Sequence, residues 1–376
     1  MIRVFQPWIF IKDYIHLFYA LFDKQISGTS KYVLKFENRF KEMHNAKYAV
    51  AVSNGSVALD LALNSLSLQK DDEVILPSFT IVSCLSAVIR SGAVPVFCDV
   101  SREHWNMTLN DIKRVHTAKT KAILNVHTYG LPSEIKEIKE YCLMNNIYLI
   151  EDSAEAHGIK YENQYCGTYG DISTFSFYAN KHITSGEGGM VMTNNHDSYK
   201  KLLKMRNLDF DNSRRFIHEN MYWNYRVGGL QAALGYSQIG SLKKVINNKQ
   251  KQGKQYAKLL ETYSNLFQLP SIKFKNVDNN YWVFGIVLKH PDIRDQLIEN
   301  LLLAGIETRP FFWPLHLQPF YLDNFEIIER NLSNSEYIGK NGLYLPMGSH
   351  ITSRKQKIIV NKVVNETIKL IEKNYE

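Results

Sequence analysis

The sequence predicts an α/β protein: one large layer domain built on a mostly parallel seven-stranded sheet, then a smaller C-terminal α+β domain. From about residue 48 to residue 205, short apolar runs alternate with amphipathic stretches, the pattern of strands joined by crossover helices. From about Leu230 the texture changes to a lysine-rich helical stretch, an apolar run and further amphipathic segments. The chain has 376 residues and is 45% hydrophobic against 22% charged, with no Pro- or Ser-rich tract. It can therefore bury a sizeable core and fill about two to three domain units. Residues 1–240 are expected to form an N-terminal segment and the large domain, and residues 241–376 the small one.

The first strand is Tyr-Ala-Val-Ala-Val at 48–52, stopped by the polar turn Ser53-Asn54-Gly55. A helix follows over 57–68, where Leu59, Ala62, Leu63 and Leu66 recur three and four apart. The theme repeats with strand 73–76, helix 80–91, strand 94–98 behind Ser91-Gly92, strand 122–126, helix 133–144 and strand 148–151. Strands 173–177 and 189–193 and helix 196–205 complete the large domain. In the small domain a long lysine-rich helix begins near Leu230. A strand at 281–289, a helix at 293–304 and a closing helix after Ser353 follow. No repeat period is present, which excludes solenoids.

Lys and Arg number 45 against 37 Asp and Glu, a formal charge of +8. A basic balance invites a nucleic-acid partner. The cations are scattered, however, and the densest stretch, 243–254, reads as a solvated helix face. No zinc pattern, helix-turn-helix or aromatic-basic platform is present. Cys84, Cys98, Cys142 and Cys166 form no CxxC pair and have no His at ligand spacing, so they read as thiols of a reduced compartment and not as a metal site. The aromatic N-terminus, residues 5–22, is broken by Lys12 and Asp13, so it makes neither a signal-peptide core nor a membrane span. A cytoplasmic protein with no nucleic-acid and no membrane partner is expected.

Three segments could carry chemistry. Ser53-Asn54-Gly55-Ser56 lies between a strand and a helix start, where unpaired N–H groups and hydroxyls suit a phosphate. An ordinary N-cap is the alternative, and without Gly-Lys-Ser/Thr this is not a Walker loop. Glu151-Asp152-Ser153-Ala154-Glu155-Ala156-His157-Gly158 follows a buried strand, and carboxylates at the C-terminal end of a parallel strand sit where open α/β sheets bind ligands. Buried there, they demand a cationic partner. The third segment, residues 176–189, runs from Ser176 into a turn with one lysine, Lys181, then Gly186-Glu187-Gly188-Gly189. A lysine near the end of a core strand is costly unless neutralised, which Schiff-base formation with an aldehyde achieves. Alone, the glycines equally suit a hairpin turn. Together, a phosphate cradle, a strand carboxylate and a later lysine match the phosphate, ring nitrogen and aldehyde of pyridoxal 5′-phosphate (PLP).

On these residues the chain resembles the DegT/DnrJ/EryC1/StrS family of sugar aminotransferases, PLP enzymes of the aspartate-aminotransferase fold (fold type I). The resemblance runs from Tyr32-Val33-Leu34-Lys35-Phe36-Glu37 through Trp223-Asn224-Tyr225-Arg226 to Glu307-Thr308-Arg309-Pro310-Phe311-Phe312 and His316. It implies that Lys181 holds the cofactor and moves a proton, and that Asp152 pairs with the ring nitrogen. Glu155 falls near the ring hydroxyl, and Gly55, Ser56 and Ser176 at the phosphate. Asn224 reaches the phosphate of a second subunit, which implies a homodimer with shared sites. Arg309, Trp313, His316 and Ser27 fall near the nucleotide sugar. In two places the chain departs from the pattern. Ile81 replaces an aromatic residue on the ring and forgoes a stacking contribution of about 0.5–1.5 kcal/mol. Gln25-Ile26-Ser27-Gly28 stands where relatives often carry Trp-Ile-Ser.

The implied reaction is a ping-pong transamination. L-Glutamate converts the cofactor to pyridoxamine 5′-phosphate, which aminates the C4 ketone of a nucleotide-linked 4-keto-6-deoxyhexose destined for a surface glycan. Residues 176–189 and Trp223-Asn224-Tyr225-Arg226 most resemble members acting on a GDP-linked sugar; UDP or dTDP as the nucleotide, and C3 as the ketone, are the alternatives. Relatives that remove a sugar hydroxyl carry His at the Schiff-base position; here Lys181 occupies it and His182 follows, so aminotransfer is expected. A PLP-binding regulatory protein without turnover is the alternative from a different class.

Overall fold

The structure is a computed structural model that describes residues 1–210, 214–325 and 331–375. Its central sheet consists of β1 (Tyr48–Val52), β2 (Glu73–Pro77), β3 (Val94–Cys98), β4 (Thr120–Val126), β5 (Tyr148–Asp152), β6 (Ile172–Ser176) and β7 (Gly189–Thr193). They lie in the order β1-β7-β6-β5-β4-β2-β3. β7 runs antiparallel to both neighbours, and the remaining pairs are parallel. The expected strand ends move by a residue or two.

Alternate residues of each strand point to opposite faces, and helices cover both. Val50, Val52, Val74 and Leu76 pack with Leu59, Leu63, Leu85 and Leu202 on one side. Ile75, Val96, Ile123 and Leu149 pack with Ile112, Ile135 and Ile138 on the other. Towards the β1 edge that second face meets Phe36 and Phe40, from a helix over Lys31–His44 that the periodicity reading did not identify. The lysine-rich helix is two helices, Gly229–Ile239 and Leu242–Leu260, parted at Gly240-Ser241. The lysines therefore belong only to the second.

In the C-terminal part, Phe267–Gln268, Phe284–Leu288, Gly342–Leu345 and Arg309–Pro310 form a four-stranded antiparallel sheet. Its core is shared with helices Leu242–Leu260, Arg294–Leu303 and Ser353–Tyr375. The strand expected from residue 281 starts later because Tyr281 takes a left-handed φ of 48°, which turns residues 281–283 towards the large sheet. The N-terminus joins this part as well: Phe5–Gln6 runs parallel to Met347–Gly348.

Strand parity separates the two neighbouring carboxylates at the end of β5. Glu151 faces away from Asp152 and is fully buried. It accepts from His127 Nε2 at 3.0 Å and from the N–H groups of Gly167, Tyr169 and Gly170 at 2.8, 2.6 and 2.6 Å. Burial alone would depress the His127 pKa, but Cys166 and then Glu151 overcome it and raise it to about 10. The raised pKa makes this a stabilising pair below the ordinary histidine value, with the contribution lost as pH rises through about 10. Glu151→Ala leaves a buried cation and three N–H groups unpaired, and should cost about 3–5 kcal/mol in denaturant unfolding at neutral pH. The deficit should shrink at alkaline pH.

Candidate active site

A cleft of about 540 Å³ opens where β4, β5 and β6 end, beside the turns after β1 and β2. Gly55, Ser56, Ile81, Asp152, Glu155, Ser176 and Lys181 all line it. They are brought together from separate crossovers because the C-terminal ends of parallel strands share one edge of the sheet.

At one end, Asn54 caps helix Gly55–Ser65 by accepting from Val57 N–H at 2.9 Å. The Gly55 and Ser56 N–H groups lie in the first turn, where a helix supplies no acceptor. Ser56 and Ser83 hydroxyls meet at 2.7 Å, and Ser176 Oγ accepts from Tyr178 N–H at 3.3 Å. A Cβ on Gly55 would come 2.8 Å from Ser176 Cβ, and one on Gly189 would come 2.3 Å from the Asn54 carbonyl oxygen. These glycines keep the helix end, β6 and β7 close enough for their polar groups to converge on one anion.

Deeper in the cleft, Asp152 Oδ1 accepts from Ala154 N–H at 3.0 Å, and Cys84 Sγ–H approaches Oδ2 at 3.5 Å. Burial pushes this carboxyl's pKa up, opposed by the Ala154 N–H and the Lys181 charge. A protonated ring nitrogen would supply the cation that favours its ionised form. Lys181 Nζ lies 3.5 Å from Glu155 Oε1 and 3.9 Å from the centre of the Trp282 ring. Burial lowers the lysine pKa, opposed by Glu155 and Asp152. Burial also raises the Glu155 pKa to about 7, opposed by Lys181 and by the Tyr129 N–H at 2.9 Å. An amine suited to attack thus sits beside a carboxyl that titrates near neutrality. The donor set fits PLP: anion cradle, buried carboxylate and lysine lie in one cleft.

Trp282, Phe312 and Tyr344 also line this cleft and were not foreseen. Nor was Lys249, whose buried Nζ donates to the carbonyl of Trp282 at 2.7 Å and of Asn180 at 3.4 Å. No local signal marks them, because each comes from the C-terminal part. His182 faces away from the cleft, with Nε2 3.0 Å from the Asn280 carbonyl oxygen.

The remaining expected residues lie outside the cleft wall. Asn224 is exposed and accepts from Arg226 Nε at 2.9 Å. Ser27 contacts Thr29 at 2.8 Å, and Arg309 pairs with Glu307 at 2.6 Å. Arg309 lies opposite the cleft residue Tyr344 in the sheet register. Trp313 donates to the Leu317 carbonyl at 3.0 Å, and His316 Nδ1 meets Ser78 Oγ at 2.6 Å. All four cysteines are buried. Among the described residues no cluster could hold a metal, and no helix is long and apolar enough to cross a membrane.

Residues 12–364 match the model of the DegT/DnrJ/EryC1/StrS aminotransferase family. The chain is 37% identical to the GDP-perosamine synthase of Escherichia coli O157:H7 over 365 residues, covering 97% of this chain and 98% of that protein. It is 36% identical to the GDP-perosamine synthase of Vibrio cholerae over 370 residues, covering 97% and 99%. Among solved structures it is similar to the E coli GDP-4-keto-6-deoxy-D-mannose-3-dehydratase with bound hydrated PLP, with a TM-score of 0.89, 25% identity and coverage of 96% and 99%. A variant of a GDP-4-keto-6-deoxymannose-3-dehydratase with bound GDP-perosamine gives a TM-score of 0.89 and 25% identity, covering 96% and 100%.

Proposed function

The chain belongs to the DegT/DnrJ/EryC1/StrS aminotransferase family of PLP-dependent enzymes, and from that premise we propose that it transfers the amino group of L-glutamate to the C4 ketone of GDP-4-keto-6-deoxymannose, making GDP-perosamine. The relatives' substrate supports the sugar. The observation that carries aminotransfer over dehydration is Lys181 Nζ in the cleft beside Glu155 and Trp282, with His182 turned away.

When bound, PLP supplies the electron sink for amino transfer. In this reading Gly55, Ser56 and Ser176 would anchor its phosphate, Asp152 would hold the ring nitrogen, Glu155 would serve the ring hydroxyl and Ile81 would pack against the ring. Lys181 Nζ would attach the cofactor and, once freed, would hold and move the proton. Trp282, Phe312 and Tyr344 restrict water. Asn224 serves the phosphate of the partner site in a homodimer, and Ser27, Arg309, Trp313 and His316 serve the nucleotide sugar. Residues 1–240 form the cofactor-carrying domain and residues 241–376 the small domain of a cytoplasmic enzyme.

A panel of GDP-, UDP- and dTDP-linked 4-keto and 3-keto sugars with L-glutamate tests the substrate. The GDP-linked 4-keto sugar should lead in kcat/KM by at least about tenfold; another nucleotide or the C3 ketone leading would replace it. Absence of any glutamate-driven change in the bound PLP absorbance would favour a regulatory protein instead.

A further inference from the structure

Helix Ile11–Phe22 is inside out. Its acidic residue points inward: Asp13 is fully buried and accepts from Ser237 Oγ at 2.6 Å, Gln238 Nε2 at 2.5 Å and Phe10 N–H at 2.8 Å. Ala20 is buried as well and Leu17 half-buried, but most of its large apolar residues point outward. Ile11, Tyr14, Ile15, Phe18 and Phe22 recur three and four apart and are 77%, 62%, 46%, 61% and 73% exposed. Single exposed apolar side chains are ordinary, but a stripe running the length of a helix marks a contact surface. Ile26, just past the helix, is exposed too.

The charges around the stripe choose among occupants. Lys24, Lys31 and Lys35 are exposed in the residues that follow the helix, Lys31 paired with Asp23 at 2.6 Å, and the other acidic residue of 1–36 is the buried Asp13. A two-fold copy seated on this face would bring the same cations together and meet like-charge repulsion. An anionic bilayer complements both features: aromatic and aliphatic side chains enter the headgroup boundary while lysines meet lipid phosphates. At 12 residues the helix is too short to span the hydrocarbon, so it would lie in the membrane plane.

We propose that the outward face of helix Ile11–Phe22, with Lys24, Lys31 and Lys35, seats this protein on an anionic lipid surface. This departs from the expectation of no membrane partner, which rested on the absence of a spanning segment. The test is flotation of the full-length, PLP-loaded protein with phosphatidylcholine vesicles, with and without phosphatidylglycerol. Recovery should be at least about tenfold higher on the anionic vesicles and should fall as salt rises. Phe18→Glu/Phe22→Glu should abolish it, and Lys24→Glu/Lys35→Glu should reduce it severalfold, while both variants keep the wild-type PLP absorbance and its response to glutamate. Failure of the wild type to float, or flotation unchanged in the Phe variant, overturns the proposal. A drop in particle mass for the Phe variant with no flotation by the wild type assigns the stripe to a second copy and overturns it as well.

Discussion

Replacing Lys181 with alanine is expected to lower kcat by at least about 10⁴-fold, the upper range for one acid–base group, since the same Nζ also attaches the cofactor. Among the described residues no other lysine lines the cleft. Lys249, the nearby buried amine, is committed to the carbonyls of Trp282 and Asn180 and is not positioned to substitute. The variant should still fold: alanine removes a buried ammonium, and Glu155, already raised to about 7 by burial, can take up a proton when its cation is gone. Thermal unfolding should therefore change little while turnover disappears. PLP should remain bound through its phosphate but lose the absorbance that attachment to Lys181 produces. Turnover within about tenfold of wild type would remove Lys181 from the chemistry.

Asp152→Asn should lower kcat by about 10²–10³-fold, the cost of removing one preorganised electrostatic partner. Asparagine keeps the shape and can still accept from Ala154 N–H, as Asp152 Oδ1 does at 3.0 Å. It carries no charge to favour a protonated ring nitrogen, which would weaken the bound ring as an electron acceptor. Single-turnover measurements with glutamate should show the loss in the chemical step, with affinity for PLP falling less. A loss below about tenfold would mean that another group holds the ring nitrogen. Glu151 cannot take over, because strand parity commits it to His127 and the 167–170 turn.

The contrast between these two adjacent carboxylates shows how far the chain can be read. That a carboxylate at the end of β5 faces a cleft was legible, because the C-terminal edge of a parallel sheet is where open α/β folds leave room for ligands. The Ser53-Asn54-Gly55-Ser56 turn and Lys181 were legible likewise, since each is a local exception to its surroundings. The cleft's aromatic wall was not. Trp282 meets Lys181 just after the left-handed Tyr281, where Lys249 ties the Trp282 carbonyl to the Asn180 loop, and no local pattern in either segment records the other.

The orientation of the N-terminal helix was hidden for a related reason. Lys12 and Asp13 do interrupt the apolar run, but Asp13 is also the inward anchor, satisfied by Ser237 and Gln238 more than two hundred residues away. The sequence by itself determined the succession of strands, the mostly parallel layer and the turns that carry Asn54, Gly55, Ser56, Asp152 and Lys181 into the cleft, because periodicity and turn chemistry act over a few residues. Only the tertiary structure decided which side of the first helix faces the core, which side chains from the C-terminal part line the cleft, and that His182 turns from it. Those choices rest on hydrogen bonds and burial between distant segments, where the partner and not the residue type sets the outcome.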